Sequence, residues 1–203
     1  MSADASPATS GRGPGRPRSA GAGREILRAV IAVLAERGVA GLTMEAVAET
    51  AGVAKTTIYR RWSSKDEMLL DAVRATAASV DPPDTGSARG DLVAMLGELV
   101  RLFTQTPAGD AARALLGELP RRPELARAFR RSVLGERFAV TDAVLRRGVE
   151  RGELRANVDA HFVTEMVIAP IFFRHMVSGE PLDAAFAARV VDHALAPVRM
   201  PGD

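Results

Sequence analysis

Apolar residues recur every three or four positions along most of the chain, and this spacing places side chains on one face of an α-helix. In residues 24–37, for example, Leu27, Val30 and Leu34 share one stripe. The alternation of apolar and polar residues that indicates a β-strand never persists. The pattern therefore predicts an all-α fold.

Glycines, prolines and capping residues divide this pattern into two groups of helices. The first group is predicted at residues 24–37, 43–52, 54–61 and from Ser64 onward, and the second at 91–105, 110–119, 123–151, 159–177 and 183–197. The stretch DPPDTGS, residues 81–87, separates them because proline and glycine interrupt helices. We therefore expect one helical domain at residues 23–80 and another at 89–203, preceded by a Gly/Pro/Ser-rich disordered basic arm at 1–22.

Composition excludes several classes of protein. The chain has 203 residues, of which 47% are hydrophobic and 26% charged, so it can form a globular core. It has no cysteine, which excludes disulfides, thiolate zinc sites and cysteine nucleophiles. No run of 18 uncharged apolar residues and no signal-peptide pattern occurs, so a cytoplasmic protein without a membrane partner is expected.

Enzyme motifs are also absent from the sequence. The three histidines, His161, His175 and His193, are 14 and 18 residues apart, which is not a metal-ligand spacing on a helix. No phosphate-binding loop or nucleophile elbow occurs. We therefore expect no catalysis, no cofactor and no metal.

The segment AGVAKTTIYRRW, residues 51–62, places a glycine between two short predicted helices. So tight a joint requires a residue that tolerates positive φ, and Gly52 meets that need. The small residue Ala48 allows the two helices to cross, and Ile58 can fill the junction. This spacing matches a helix-turn-helix. If the second helix lies in a major groove, its donors face phosphates and base edges: Lys55, Thr56, Thr57, Tyr59 and Arg60.

The same register extends from residue 24 to about residue 75. It reads Thr43…Ala48…Ala51-Gly52-Val53…Thr57-Ile58-Tyr59…Trp62…Lys65…Met68-Leu69 and resembles the N-terminal DNA-binding domain of the tetracycline-repressor (TetR) family. The aromatic after the tyrosine is often Phe in that family, and here it is Trp62. The resemblance implies an N-terminal three-helix helix-turn-helix DNA-binding domain and a C-terminal helical ligand-binding and dimerisation domain.

The resemblance also implies a function and roles for particular residues. The function is that of a sequence-specific transcriptional regulator, a repressor that binds a palindromic operator in double-stranded DNA as a homodimer and is released by a small effector. Thr43 would cap its helix and contact phosphate, and Tyr59 and Lys65 would bind phosphates. Lys55, Thr56 and Thr57 would lie at the groove-facing helix start. Arg60 can contact either guanine or phosphate, while Trp62, Met68 and Leu69 are expected in the core.

The N-terminal stretch GPGRPR, residues 13–18, resembles an AT-hook core. An extended arm bearing Arg12, Arg16 and Arg18 suits the narrow minor groove of A·T-rich DNA, where the potential is most negative. A solvated basic tail explains the same residues equally well.

A repressor of this kind must be a dimer because one short helix reads too few base pairs. The predicted helix at 159–177 is apolar on most sides and must be covered, either within its own subunit or by a four-helix interface with the helix at 183–197. The candidate interface residues are Phe172, Met176, Phe186, Val190, Val191 and Ala194.

An effector pocket is expected between the helices at 91–105, 123–151 and 159–177. Its candidate lining residues, of residue types that are more often plain core than ligand contacts, are Met95, Leu99, Phe103, Phe129, Val133, Met166, Phe173 and His175. Their Met and Phe content indicates an apolar or aromatic effector. Three alternatives stay open at this point: a helical protein-interaction module, a DNA-binding regulator without an effector, and an activator.

Overall fold

The computed structural model describes residues 18–77 and 82–200. Within these ranges the chain forms ten α-helices: α1 (Arg18–Gly41), α2 (Met44–Ala51), α3 (Lys55–Tyr59), α4 (Lys65–Ala77), α5 (Ala88–Gln105), α6 (Ala108–Glu118), α7 (Pro123–Phe129), α8 (Gly135–Glu150), α9 (Ala160–Phe173) and α10 (Ala184–Leu195). The only β-type pairing among these residues is an isolated bridge between Leu154 and Arg199. The predicted all-α class is confirmed. No helix in the described ranges is long and apolar enough to cross a membrane.

Helix α1 begins at Arg18, six residues before its predicted start. The chain after Pro17 has no further proline until Pro82 and contains alanines, which favour helix most strongly, so the helix extends back to that point. Gly38, with φ at +65°, interrupts the helical backbone where the sequence predicted an end. Of the predicted arm, Arg12 and Arg16 lie outside the described residues, as does the Arg18 side chain.

The first four helices enclose one hydrophobic core. Each of these helices supplies fully buried residues to it, among them Ile26, Val30, Leu34, Val47, Ile58, Met68 and Leu69. Trp62 is 5% exposed, and its indole nitrogen donates a hydrogen bond to Asp71 Oδ2 at 2.9 Å. This bond ties the turn after α3 to α4. The expectation that Trp62, Met68 and Leu69 are core residues is confirmed.

The predicted helix at 123–151 is two α-helices joined by a π-helical turn, Arg130–Leu134. A π turn adds about one residue to a helical turn and so rotates the faces that precede and follow it. The rotation lets Leu125 and Phe129 of α7 pack into the N-terminal core, while Val144 and Leu145 of α8 pack against α5 and α9. A single regular helix could not serve both cores.

Helices α5, α8, α9 and α10 enclose a second core. It is built around Leu92, Leu96, Leu145, Ile171, Val191 and Leu195, all of which are buried. Helix α6 packs most extensively on α1, and its Ala111 and Leu115 belong to the first core. The sequence boundary at residues 81–87 is therefore not a boundary in packing, because α6 and α7 contribute to the N-terminal core.

Candidate DNA-reading surface and effector cavity

The joint between α2 and α3 has the geometry of a tight helix-turn-helix. Gly52 adopts the left-handed conformation, with φ at +64° and ψ at 33°, and its N–H donates to Glu49 O at 3.1 Å. The N–H of Val53 donates to Ala48 O at 3.0 Å, which satisfies a second carbonyl at the end of α2. Helix α3 then begins at Lys55, only three residues after Gly52.

Helix α3 presents nearly all its polar side chains to solvent. Ile58 is its buried residue and anchors it to the N-terminal core, while Thr57 is half-buried. The remaining predicted DNA contacts on or beside this helix are exposed: Lys55, Thr56, Tyr59 and Arg60. The structure thus gathers these four donors on one accessible surface, which we call the reading surface.

Thr43 and Lys65 flank the reading surface. Thr43 is exposed, and its hydroxyl oxygen accepts a hydrogen bond from Ala46 N at 3.0 Å, so it caps α2 as predicted. Lys65 is half-buried in the first turn of α4. The Glu67 carboxylate accepts bonds from the Ser63 N–H and hydroxyl, each at 2.8 Å, and these bonds lower the Glu67 pKa. They fix the turn that carries Lys65.

Sequence reasoning did not identify Glu45 as a member of this surface. Its Oε1 lies 3.5 Å from Lys55 Nζ and 3.4 Å from the Tyr59 hydroxyl, which donates to it. The pKa of Glu45 is lowered, first by a hydrogen bond from its own backbone N–H and then by Lys55 and Tyr59. A carboxylate therefore stands beside two of the donors predicted to meet DNA. In the sequence it appears only as an acid in the first turn of a helix.

A mostly enclosed cavity of about 80 Å³ lies where the two cores meet. Four of the eight predicted pocket residues line it, namely Leu99, Phe103, Phe129 and Val133. The rest of its wall was not anticipated, because it comes largely from α1 and α6: Ile31, Leu34, Ala108, Ala111, Ala112, Leu115 and Leu116. A second, smaller cavity of about 10 Å³ is lined in part by Met95.

The other three predicted pocket residues lie elsewhere. Val163, Val167 and Ile171 turn inward from α9, so Met166 and Phe173 point outward and are 44% and 57% exposed. His175 contacts the edge of the cavity region without lining it. Its Nε2 is 2.8 Å from Gly109 O, and its ring lies 4.6 Å from the Phe103 ring.

Arg137 is a charged residue that lines both cavities, and sequence reasoning missed it. It is half-buried, and burial lowers its pKa, although the neighbouring Glu136 opposes this lowering. Within residues 18–77 and 82–200 its guanidinium has no hydrogen-bond acceptor and no ion-pair partner. An arginine remains protonated in such a site, so the apolar cavities carry one positive charge.

The predicted dimer residues divide between the interior and the surface. Val191 is fully buried, Val190 and Ala194 are nearly so, and Phe172 lines the cavity with its ring 5.2 Å from that of Phe103. Val190, Val191 and Ala194 pack within their own chain because α10 turns its apolar face toward α5, and Phe172 of α9 packs on Phe103 of α5. Met176 and Phe186 are half-buried. The exposed apolar residues on α9 and the turn after it are instead Phe162, Met166, Phe173 and Val177, which we call the outer stripe.

Comparisons with known proteins agree with this geometry over nearly the whole chain. The family model of bacterial regulatory proteins of the tetR family matches residues 26–72, and the model of tetracyclin repressor-like C-terminal domains matches residues 82–194. The HTH-type transcriptional regulator YdeS of Bacillus subtilis is 33% identical over 181 residues, which are 89% of this chain and 91% of that protein.

Two further relatives extend the comparison. A DNA-binding transcriptional repressor TetR of Mycobacteroides abscessus is 36% identical over 183 residues, covering 87% of this chain and 93% of its own. The crystal structure of the TetR family transcription regulator SCO0332 superposes with a TM-score of 0.68 at 35% identity, covering 88% of this chain and 99% of that one. The chain belongs to the TetR family of DNA-binding transcriptional regulators.

Proposed function

We propose that this protein is a repressor that binds a palindromic operator as a homodimer and leaves it when a small effector enters the cavity beside α1. The observation that carries this proposal is the position of Ile31 and Leu34. They line the cavity and lie on α1, the helix against which α2 and α4 pack. A ligand in this space touches the DNA-binding domain directly.

The reading surface supports contact with a major groove. Lys55 and Thr56 lie at the exposed start of α3, where we expect them to reach base edges, and we expect Thr43, Tyr59 and Lys65 to bind phosphates. Thr57 is the half-buried member of the predicted DNA contacts on α3. Arg60 can reach either a guanine or a phosphate.

The outer stripe supports dimerisation. Four large apolar side chains, Phe162, Met166, Phe173 and Val177, are between 44% and 71% exposed, and they follow one line along α9 and its continuation. A patch of this kind marks an interface in a protein of this size. A two-fold pair through it would place two copies of α3 about 34–36 Å apart, one turn of DNA. Met176 and Phe186 lie half-buried close to this stripe in the sequence and would extend the interface.

Effector release requires unequal affinities. The effector must bind the state that cannot engage DNA more tightly than the state that can. The cavity supports this because enlarging it separates α6 from α1, and α1 carries the core that positions α3. The wall is almost wholly apolar, which suits an apolar or aromatic effector.

Selection of bound DNA from a random pool, followed by fluorescence anisotropy, tests the proposal. We expect a palindromic site, and we expect Tyr59→Phe and Lys65→Ala to weaken binding to all sequences, while Lys55→Ala or Thr56→Ala alters base preference. Arg101→Ala, which removes an exposed arginine of α5, is the matched control and leaves binding unchanged. If no sequence is selected, or if all four changes leave binding intact, the DNA-reading proposal fails.

The dimer is tested separately by analytical ultracentrifugation. We expect Phe173→Asp to produce folded monomers that bind the operator weakly. Met200→Asp replaces another exposed apolar residue, far from the outer stripe in the sequence, and keeps the dimer. A wild-type protein that sediments as a monomer would contradict the proposed interface.

A further inference from the structure

The two cavities meet at Arg137. Both are lined by Leu99, Arg137 and Ile168, so Arg137 lies where the two cavities adjoin. Every other residue that lines the larger cavity is Ala, Ile, Leu, Val or Phe. In the smaller cavity Thr141 adds a hydroxyl, which donates to Arg137 O at 3.0 Å. The site is therefore an apolar chamber with one positive group in its wall.

Several other arginines whose side chains are partly withdrawn from solvent are paired with carboxylates. Arg122 lies 2.6 Å from Asp66, Arg151 lies 2.6 Å from Asp84, and Arg147 lies 3.1 Å from Asp91. Withdrawing a guanidinium from water without a partner costs free energy, so proteins pair such groups where they can. Arg137 differs from these three arginines, because it is half-buried and its guanidinium has no hydrogen-bond acceptor or ion-pair partner among the described residues.

A planar guanidinium binds a carboxylate through two parallel hydrogen bonds, a geometry that neither a hydroxyl nor an amide reproduces. We propose that the effector of this regulator is an organic carboxylate with an apolar or aromatic body, whose carboxylate binds the Arg137 guanidinium while the body fills the cavity beside α1. This inference rests on the proposed function and specifies the ligand class of the same cavity.

The size of the cavity links binding to release. At about 80 Å³ it is smaller than the roughly 150 Å³ cavity that accepts benzene. A ligand with a ring or an alkyl chain must therefore displace part of the wall. Another part of the wall comprises Leu34 of α1 with Ala111 and Leu115 of α6, and α1 and α6 are the helix pair with the most extensive mutual packing among the described residues. The carboxylate would fix the ligand on α8, and its body would press on this pair.

The experiment compares acids with their own amides, which match them in shape and lack the charge. Phenylacetate against phenylacetamide, and octanoate against octanamide, are titrated into the full chain by calorimetry. We expect each acid to bind about tenfold or more tightly than its amide. Arg137→Met should abolish this preference by weakening the acids alone, and Arg137→Lys should keep part of it because the charge remains.

Arg146→Met is the matched control, because Arg146 lies on the same helix, is exposed and pairs with Asp142. It should keep the full preference for acids. Circular dichroism checks that each variant is folded. If a variant fails to fold, the comparison of acid with amide in the wild-type protein still tests the inference. Equal affinity of acid and amide, no binding of either, or a preference that survives in Arg137→Met would overturn the inference.

Operator binding is measured in parallel, so the two proposals can fail independently. If amides release the selected DNA as readily as acids do, the effector-released repressor stands and the carboxylate inference falls. If acids bind through Arg137 while the protein selects no DNA sequence, the cavity chemistry stands and the repressor proposal falls.

Discussion

Replacing Asp91 should cost more stability than replacing any exposed acid of this protein. Asp91 is 0% exposed in the first turn of α5. Its Oδ1 accepts hydrogen bonds from the Thr85 N–H at 2.6 Å and the Thr85 hydroxyl at 2.8 Å, and its Oδ2 lies 3.1 Å from Arg147 Nη2. Arg151 Nη1 is 3.8 Å from the same Oδ2. One carboxylate thus holds the segment before α5 onto α8.

The expected magnitude follows from what Asp91→Ala leaves behind. The Thr85 hydroxyl is near solvent and can bond water instead, so the loss of its hydrogen bond to Asp91 costs little. The Thr85 N–H and the Arg147 guanidinium each lose a bond to a charged group, worth about 1.5 kcal/mol or more. Arg147 keeps a hydrogen bond to Pro83 O, but its buried Nε already lacks an acceptor, and no other carboxylate is bonded to its guanidinium among the described residues. We expect the free energy of unfolding to fall by about 3 kcal/mol, in the range for breaking a buried ion pair.

Equilibrium unfolding in urea measures this change, with the slope checked for constancy so that the midpoint reports stability alone. Asp142→Ala is the matched control. Asp142 lies 3.6 Å from Arg146 on the surface of α8, and its loss should cost less than about 0.5 kcal/mol. If Asp91→Ala costs less than about 1 kcal/mol, the buried cluster does not hold the segment before α5 onto α8.

Three further predictions concern single residues. Glu45→Gln should raise the affinity for all DNA sequences by about three- to tenfold at low salt, because it removes a negative charge from the reading surface. Fluorescence anisotropy at a series of salt concentrations measures this, and an unchanged affinity would contradict it. Gly52→Ala should lower the free energy of unfolding by about 1 kcal/mol, because φ at position 52 is +64° and a side chain is strained in that conformation. An unchanged melting temperature would refute this. The pKa of Asp192 is lowered chiefly by its hydrogen bond from Arg89, so its folded pKa lies below its unfolded one. The stability that the ionised Asp192 carboxylate contributes is fully present above the unfolded pKa and is lost as pH falls through the folded pKa. Asp192→Asn should therefore make the free energy of unfolding fall less steeply with decreasing pH below about pH 4. Urea midpoints measured across that pH range test this, and an equal dependence on pH in the wild type and the variant would contradict it.

The helix-turn-helix could be read from the sequence because its determinants are neighbours in the chain. The turn requires one residue with positive φ, and Gly52 supplies it. The helix after the turn requires one apolar anchor, and Ile58 is the buried residue of α3. Trp62 was placed correctly for the same reason, since its partner Asp71 is only nine residues away. Local spacing determines all of these features.

Which face of α9 turns toward the core could not be predicted from the sequence in this way. The helix is apolar on most sides, so its periodicity does not select which residues turn inward. Packing against α5 and α8 selects Val163, Val167 and Ile171, and this leaves Met166 and Phe173 on the surface. The same long-range packing brings α1 and α6 to the cavity. Arg137 was missed because a charged residue on a long helix is ordinarily solvated.

The position of the cavity also indicates how an effector signal would reach DNA. Helix α1 supplies Ile31 and Leu34 to the cavity wall and packs on α2 and α4 along the rest of its length. Helix α3 has one buried anchor, Ile58, in the core that α1 helps to form. A shift of α1 away from α6 would therefore separate Ala111 and Leu115 from that core, while α2, α3 and α4 would move with α1. Because a dimer reads two grooves at a fixed separation, a small rotation of each N-terminal core changes the distance between the two copies of α3. Release would then need no rearrangement within the helix-turn-helix itself.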